Sequence, residues 1–508
     1  MILKRGTVHT IVRSATATER AWLTDQLTYS QGRGMGTERV CHLKEIPGKS
    51  GVYFNSGFIR FVIRAARAAK VNLTIEDARV RPEPVVSFSR DAVVLAKSKP
   101  WFYQWEGAEA LVKAEHGVVE LPTGSGKTLV AVILAAVFTG KRVLYAVSDA
   151  VLASKTAATM EAELGIKVGR DLLAGEQVTC TTLQKLYAQL SKLGAQTRAA
   201  LNGVQVFIVD EAHGVPATTF SKVCSACPAF YRFALSATPF DRSDKKSAPL
   251  LGLFGGLVYR KTEGELADPV RVHPNDRPRL TPGGAYLPRA DIKMIRFEQA
   301  AVFLGKYPEA YVAQVVKSAA RNDLIADIAA IARKPCLVLF NDIKHKHGVN
   351  LKRRIEMLGF STEMVDADAS EHRRKDVIDR LNAGSIDVVV ASRVFNVGVD
   401  MPELRSVVIA GGMQSPVQSI QRVGRGMRVT KKKRSFEVWD VLDISVNFSK
   451  AKGAWIARHA NERMKTYRSR GHNVCVGDSV NGPWETLQGI LPAIKRAGKA
   501  QQQAEEAA

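Results

Sequence analysis

No apolar run in this 508-residue chain reaches the ~18 residues of a membrane span, which excludes a transmembrane helix from the reading. The first ten residues, MILKRGTVHT, contain no apolar signal-peptide core, so a cytosolic protein is expected. Cysteine is scarce. Its six positions, Cys41, Cys180, Cys224, Cys227, Cys336 and Cys475, are scattered along the chain. The single CxxC, Cys224 to Cys227, has no second pair or histidine set to complete a four-ligand zinc site. Both thiols read as packed residues at a helix end, with neither a metal cluster nor a disulfide framework expected. Acidic residues are in deficit too: 49 Asp and Glu against 73 Lys and Arg give a formal charge of +24. That excess points to a polyanionic partner, because each phosphate neutralised releases condensed counterions.

Two short segments carry chemistry. Leu121 to Thr128 read LPTGSGKT, and Asp210 to His213 read DEAH, 83 positions after Lys127. In such a loop, Thr123, Gly124, Ser125 and Gly126 let backbone N–H groups close around phosphates. Lys127 supplies a cation, and the Thr128 hydroxyl is available to magnesium. Asp210 follows the apolar run Val204 to Val209, which reads as a buried parallel strand delivering its acid at the carboxyl end. There Asp210 can meet magnesium, while Glu211 can orient or deprotonate a water. ATP and Mg2+ are the expected ligands. Leu121 stands where the strict GxxxxGK[ST] pattern has glycine, so the acid pair is needed to secure the assignment.

The length suits about three domains. Residues 1–95 alternate short strand-like and helix-like runs, a small α/β accessory module and candidate DNA binder. Within it, Phe58 to Lys70 has helical periodicity with basic residues on one face. Over residues 96–268, apolar runs (HGVVEL, RVLYAV, VTCTT, VQVFIV, YRFALS) alternate with helical patterns as in a doubly wound parallel sheet. Residues 269–295 include a stretch rich in Pro, Gly and charge and read as a linker or surface insertion. A second alternating block fills 296–450, with strands expected at 335–340, 361–367, 386–392 and 405–411. Residues 451–508 are expected to be a C-terminal helical extension with a frayed tail from Ala493.

Further motifs, in chain order, resemble those of the superfamily 2 DEAH-box helicases and translocases. Gln104, within WFYQWEGAEAL, resembles the glutamine element that recognises adenine. Thr182 and Gln184 resemble a first-domain nucleic-acid contact. Ser236-Ala237-Thr238 resembles the SAT motif that couples hydrolysis to strand movement, a role the resemblance also gives His213. ASRVFNVGVDMP resembles the motif that touches phosphate backbone through Ser392 and nucleotide through Gly398 and Asp400. Gln421, Arg425 and Arg428 match QxxGRxxR. Arginines spaced i, i+3 share one helix face, and such fingers contribute ~10³–10⁵ in rate.

The stretches His345 to Gly348 and Arg458 to Val474 look like positions in the UvsW-type branched-DNA helicases of phages, in a wider group with type III restriction subunits and XPB-like proteins. The histidines of the first stretch read as structural or DNA-facing rather than metal ligands. The resemblance implies an α/β fold of two tandem RecA-like parallel-sheet domains, with Mg2+–ATP between them, and a small N-terminal α/β accessory domain. Two departures stand out: Ser148 and Lys155 occupy a contact motif lacking its usual proline, and Ser392 replaces the commoner threonine.

The leading expectation is an ATP-dependent DNA helicase or translocase remodelling branched DNA (forks, Holliday junctions, R-loops) in a bacterial or phage-infected cytosol. DNA would be gripped through its backbone without strong sequence preference. An RNA helicase and the motor subunit of a restriction system are the alternatives. A non-catalytic scaffold is disfavoured by Glu211 and the two arginines.

Overall fold

The computed structural model describes residues 1–31, 38–48, 50–211, 217–240, 248–280, 284–299, 306–366, 368–392, 401, 403–412, 435–444 and 455–487. By its internal contacts the chain divides into two units, one mainly Met1–Pro122 with Gly126–Lys261, the other mainly Thr262–Pro492. Among the described residues no helix is long and apolar enough to cross a membrane. The tail from Ala493 lies outside the described residues.

The first unit holds the accessory module. Its five-stranded sheet is ordered Lys44–Glu45, Val52–Asn55, His9–Ser14, Ile2–Arg5, Thr74–Asp77. All pairs are antiparallel except the last, and a parallel pair needs a crossover; helices Ala17–Gln26 and Ile59–Ala68 lie within it. Thr16 starts the first helix with a capping box: its hydroxyl accepts from the Glu19 N–H at 3.2 Å, and the Glu19 carboxylate accepts from the Thr16 N–H at 2.8 Å. In the second helix Ile59, Val62 and Ala66 are buried at helical spacing, while Arg60 and Arg67 face solvent.

This module packs directly on helix Ala248–Phe254, with Ala248 and Leu251 joining the core of Leu3, Phe54, Phe58 and Val62. Backbone meets backbone there. A Cβ on Gly57 would lie 2.2 Å from the Leu251 carbonyl oxygen, and one on Gly252 would lie 2.6 Å from the Phe58 ring. Only hydrogen fits at these two positions.

The main sheet of the first unit has seven parallel strands, ordered Val168–Gly169, Val178–Thr182, Val143–Val147, Val206–Asp210, Tyr231–Ser236, His116–Glu120, Leu257–Arg260. Its inner strands are buried along their length, as expected of a parallel sheet covered on both faces. Cys224, in the last turn of helix Ala217–Ala226, and Cys227 just after it are fully buried in this core. Their carbonyls, with that of Leu253, accept from the buried Arg232 guanidinium, at 2.8 Å for Cys224 and Leu253. Burial raises both thiols above their ordinary range.

The second unit's sheet has eight strands: Thr362–Val365, Val388–Ala391, Cys336–Leu339, Ser406–Ile409, Ser435–Ile444, Arg289–Glu298, Val474–Gly477, Trp484–Leu487. Every pair is parallel except the last. Two expectations need correcting here. Residues 289–295, assigned to a linker, begin a ten-residue strand paired along its whole length with Ser435–Ile444. The segment before it is also packed: Asp276 and Tyr286 are buried and joined by a 2.7 Å hydrogen bond. Nor is the C-terminal region simply helical. After helix Trp455–Ser469 the chain adds two strands to the sheet, the first against Ile292–Ile295. His347 is fully buried and bonded to Asn322 at 3.0 Å, which makes it structural. Burial pushes it down to about 4.

Candidate functional site

Strand His116–Glu120 is followed by Leu121, whose N–H donates to the Ser236 carbonyl at 3.0 Å. The chain then turns through Gly124 (φ 84°) and Gly126 (φ 80°), in the left-handed region that glycine enters without a Cβ clash. Gly126 is constrained a second time, because a Cβ there would lie 2.4 Å from Nε2 of Gln104. Helix Lys127–Val137 follows, presenting first-turn N–H groups and the positive end of its dipole. Loop and helix start form an anion site.

Lys127 is buried. Its ammonium donates to the Leu121 and Pro122 carbonyls at 3.3 and 3.4 Å and pairs with Glu211 at 3.0 Å. Asp210 ends the strand two places from His116–Glu120, with Tyr231–Ser236 between them. Ligands of open α/β sheets bind outside such carboxyl ends. Asp210 is 2% exposed, and its Oδ2 accepts from the Tyr145 hydroxyl at 2.9 Å. Its Oδ1 has no hydrogen-bond partner among the described residues. Burial and the adjacent Glu211 push the Asp210 carboxyl up to about 7, against the opposing pull of Lys127 and Tyr145.

Glu211 sits at φ 48°, a region costing a non-glycine residue about 1–3 kcal/mol. Its N–H donates to the Leu235 carbonyl at 3.1 Å, and its own carbonyl accepts from Ser148 at 3.4 Å. A buried carboxylate with an unused oxygen beside a strained glutamate is a site short of positive charge. These residues fit a magnesium ion: Asp210 supplies the open oxygen, and Thr128, half-buried in the first helical turn, supplies a hydroxyl.

Other expected residues fall into three groups. Gln104 and Ser236 are brought to the phosphate loop. The Gln104 amide accepts from the Trp101 N–H at 2.8 Å and donates to the Gly126 carbonyl at 3.5 Å. Ser236 accepts through Oγ from the Thr238 N–H at 3.1 Å while its carbonyl holds Leu121, so the SAT segment and the loop share a hydrogen bond. The expected nucleic-acid contacts are placed differently. Thr182 caps helix Leu183–Lys192, accepting from the Lys185 N–H at 3.1 Å; Gln184 is exposed, and Ser392 is buried in the second unit. The third group, His213, Gly398, Asp400, Gln421, Arg425 and Arg428, lies outside the described residues. Sequence reasoning missed Tyr145, whose only signal is a lone tyrosine in an otherwise aliphatic strand.

Comparison with known proteins agrees with this geometry. Residues 97–241 match the family described as "Type III restriction enzyme, res subunit", and residues 320–430 match "Helicase conserved C-terminal domain". A protein of the Sulfolobus islandicus filamentous virus is 25% identical over 343 residues, covering 64% of this chain and 60% of that protein, less than two thirds of its length. The DNA 3'-5' translocase XPB2 of Sulfurisphaera tokodaii is 25% identical over 360 residues, covering 64% of this chain and 78% of the relative. The ATP-dependent DNA helicase uvsW of Enterobacteria phage T4 is 22% identical over 407 residues, covering 74% of this chain and 76% of the relative. The loop, the acid pair and the two family matches stand in one order along one chain, and this protein is a superfamily 2 helicase related to the UvsW, XPB and type III restriction group.

Proposed function

We propose that this chain is an ATP-driven DNA helicase or translocase that remodels branched DNA, such as forks, Holliday junctions and R-loops, in replication, recombination or repair. It would act in a bacterial or phage-infected cytosol. The carrying observation is the meeting of Lys127, Glu211 and the half-satisfied Asp210 at the carboxyl ends of two strands of one parallel sheet, with Tyr231–Ser236 between them. The Lys127 ammonium pairs with Glu211 at 3.0 Å. ATP phosphates entering the loop would take over that ammonium and the helix N–H groups, freeing Glu211 to orient and deprotonate the attacking water. Thr128 and Asp210 would hold magnesium, which when bound offsets the charge developing on the phosphates.

Gln104 would read the base. The loop residues Thr123 to Gly126 would hold the phosphates, and Gly398 and Asp400 would contact the nucleotide. Gln421, Arg425 and Arg428 would stabilise the transferring phosphoryl group. His213, Ser236 and Thr238 would relay hydrolysis to the DNA track, to which Thr182, Gln184 and Ser392 are assigned. The charge of +24 favours a nucleic-acid partner, and relatives named as a DNA translocase and a DNA helicase favour DNA over RNA. Contacts to phosphates imply weak sequence preference and steep salt dependence.

One observation favours a second reading. The match of residues 97–241 to a restriction res subunit suits a motor whose recognition and cleavage lie on a partner. ATP hydrolysis measured with no nucleic acid, single-stranded DNA, duplex, a four-way junction and matched RNA separates the readings, with Lys127→Ala as blank. Stimulation by junctions above duplex and RNA supports the branched-DNA motor. Stimulation by RNA alone overturns it, and no stimulation by any polymer points to the missing restriction partner.

A further inference from the structure

Outside the motif residues, Tyr145 touches the buried acid directly. Its strand, Val143–Val147, lies beside Val206–Asp210 in a register that sets Tyr145 opposite Ile208 and Val147 opposite Asp210. Residues two apart on adjacent parallel strands share a sheet face, so Tyr145 stands on the Asp210 face two positions upstream. That offset is about 7 Å, which a phenol spans and an aliphatic side chain does not. The ring is wholly buried. On its other side the register partner is Cys180, whose sulfur lies 3.5 Å from that of Met160. From this buried setting the hydroxyl reaches to 2.9 Å from Asp210 Oδ2.

The hydroxyl has one hydrogen, and donating it fixes the roll of the carboxylate. Oδ2 is occupied and Oδ1 is left open. Resting on the ATP-site reading above, we propose that Tyr145 is a positioning residue: by holding Oδ2 it reserves Oδ1 for the cation and so sets the magnesium affinity of the nucleotide complex. Hydrogen bonds that orient a ligating carboxylate typically change metal affinity 10–100-fold when lost. A tyrosine that merely filled the sheet would be replaceable by phenylalanine with no effect on metal.

The test is Tyr145→Phe, which keeps the ring and removes one oxygen. Binding of a fluorescent mant-ATP is followed in EDTA and across a magnesium titration. The expected result is metal-free affinity within about twofold of the parent and a magnesium midpoint raised roughly tenfold. In an Asp210→Asn background the same change should have no further effect, since the amide has already lost the carboxylate. An unmoved magnesium midpoint in folded Tyr145→Phe overturns the proposal.

A second measurement does not depend on that variant folding. A 3-fluorotyrosine placed at position 145 should give a ¹⁹F resonance broadened by manganese, and broadened less in Asp210→Asn. Equal broadening in both proteins also overturns the proposal. If the parent protein binds no mant-ATP, the ATP reading fails, and the manganese experiment without nucleotide still decides the role of Tyr145.

Discussion

Asp210 in the first unit and Asp440 in the second are buried to nearly the same degree on inner strands of parallel sheets, yet their surroundings are opposite. Asp440 is saturated. Arg463 holds it with two bonds at 2.8 and 3.0 Å, Tyr467 donates at 3.0 Å, and the Val441 N–H donates at 2.8 Å. Its neighbour Asp443 is likewise gripped by Arg321 and Gln299. Asp210 has one tyrosine and an oxygen left over. Burial alone does not separate a structural acid from a working one; unused hydrogen-bonding capacity does.

The widest gap should open on activity. Glu211→Gln is expected to lower kcat roughly a thousandfold, about 4 kcal/mol, without lowering the thermal midpoint. A variant that loses stability along with turnover would erase the contrast. The second unit should answer in stability instead. Arg463→Ala leaves Asp440 buried and unpaired, and about 3–4 kcal/mol should be lost in urea unfolding. Replacing both partners together, Arg463→Met with Asp440→Leu, should recover most of it, because well-packed apolar residues need no pairing.

A smaller effect appears with pH. The carboxyl raised to about 7 keeps its proton in the native state where the unfolded chain has released it. Asp210 therefore lowers the stability of the nucleotide-free protein as pH rises from roughly 4 to 7. The buried His347 and His472, both pushed down to about 4, act the other way: protonation of the unfolded state below about 6.5 lowers stability as pH falls. The readout is therefore the difference between parent and Asp210→Asn melting curves. The parent should fall behind as pH rises, and Mg2+–ATP should close the gap. A difference independent of pH would count against the assignment. The smallest expected effect is at Thr182. Thr182→Ala should cost about 1 kcal/mol as a lost helix cap, and a fall in DNA affinity not accounted for by that loss would support its proposed DNA role.

The phosphate loop and acid pair were legible because each is contiguous and its chemistry dictates residue type. The parallel strands were legible for a similar reason, since burial on both faces demands apolar runs such as Val206–Val209. Contacts across the sheet were not. Tyr145 and Asp210 are 65 positions apart, Arg321 and Asp443 are 122 apart, and only strand order brings them together. The strand Arg289–Glu298 was missed because its charged residues pair with neighbours: Asp291 with Arg289 and Arg333, Lys293 with Glu437, Arg296 with Asp478 and Glu485. From sequence alone, those charges look like a solvated insertion. Thr182 illustrates the converse: a hydroxyl at a strand-to-helix junction suits a phosphate contact and a helix cap equally well.

The contact of Gly57 with helix Ala248–Phe254 is a weld rather than a tether. Cutting the chain near residue 95 would not release an appendage but would strip the cover from Ala248 and Leu251, on the helix whose Leu253 carbonyl anchors Arg232 in the SAT-bearing strand. Loss of DNA grip in such a truncated protein would report damage to the motor itself. A surgeon's approach suits this molecule better: change the outward Arg67 and leave the seam closed, including the 3.1 Å bond from Arg60 to the Ala114 carbonyl.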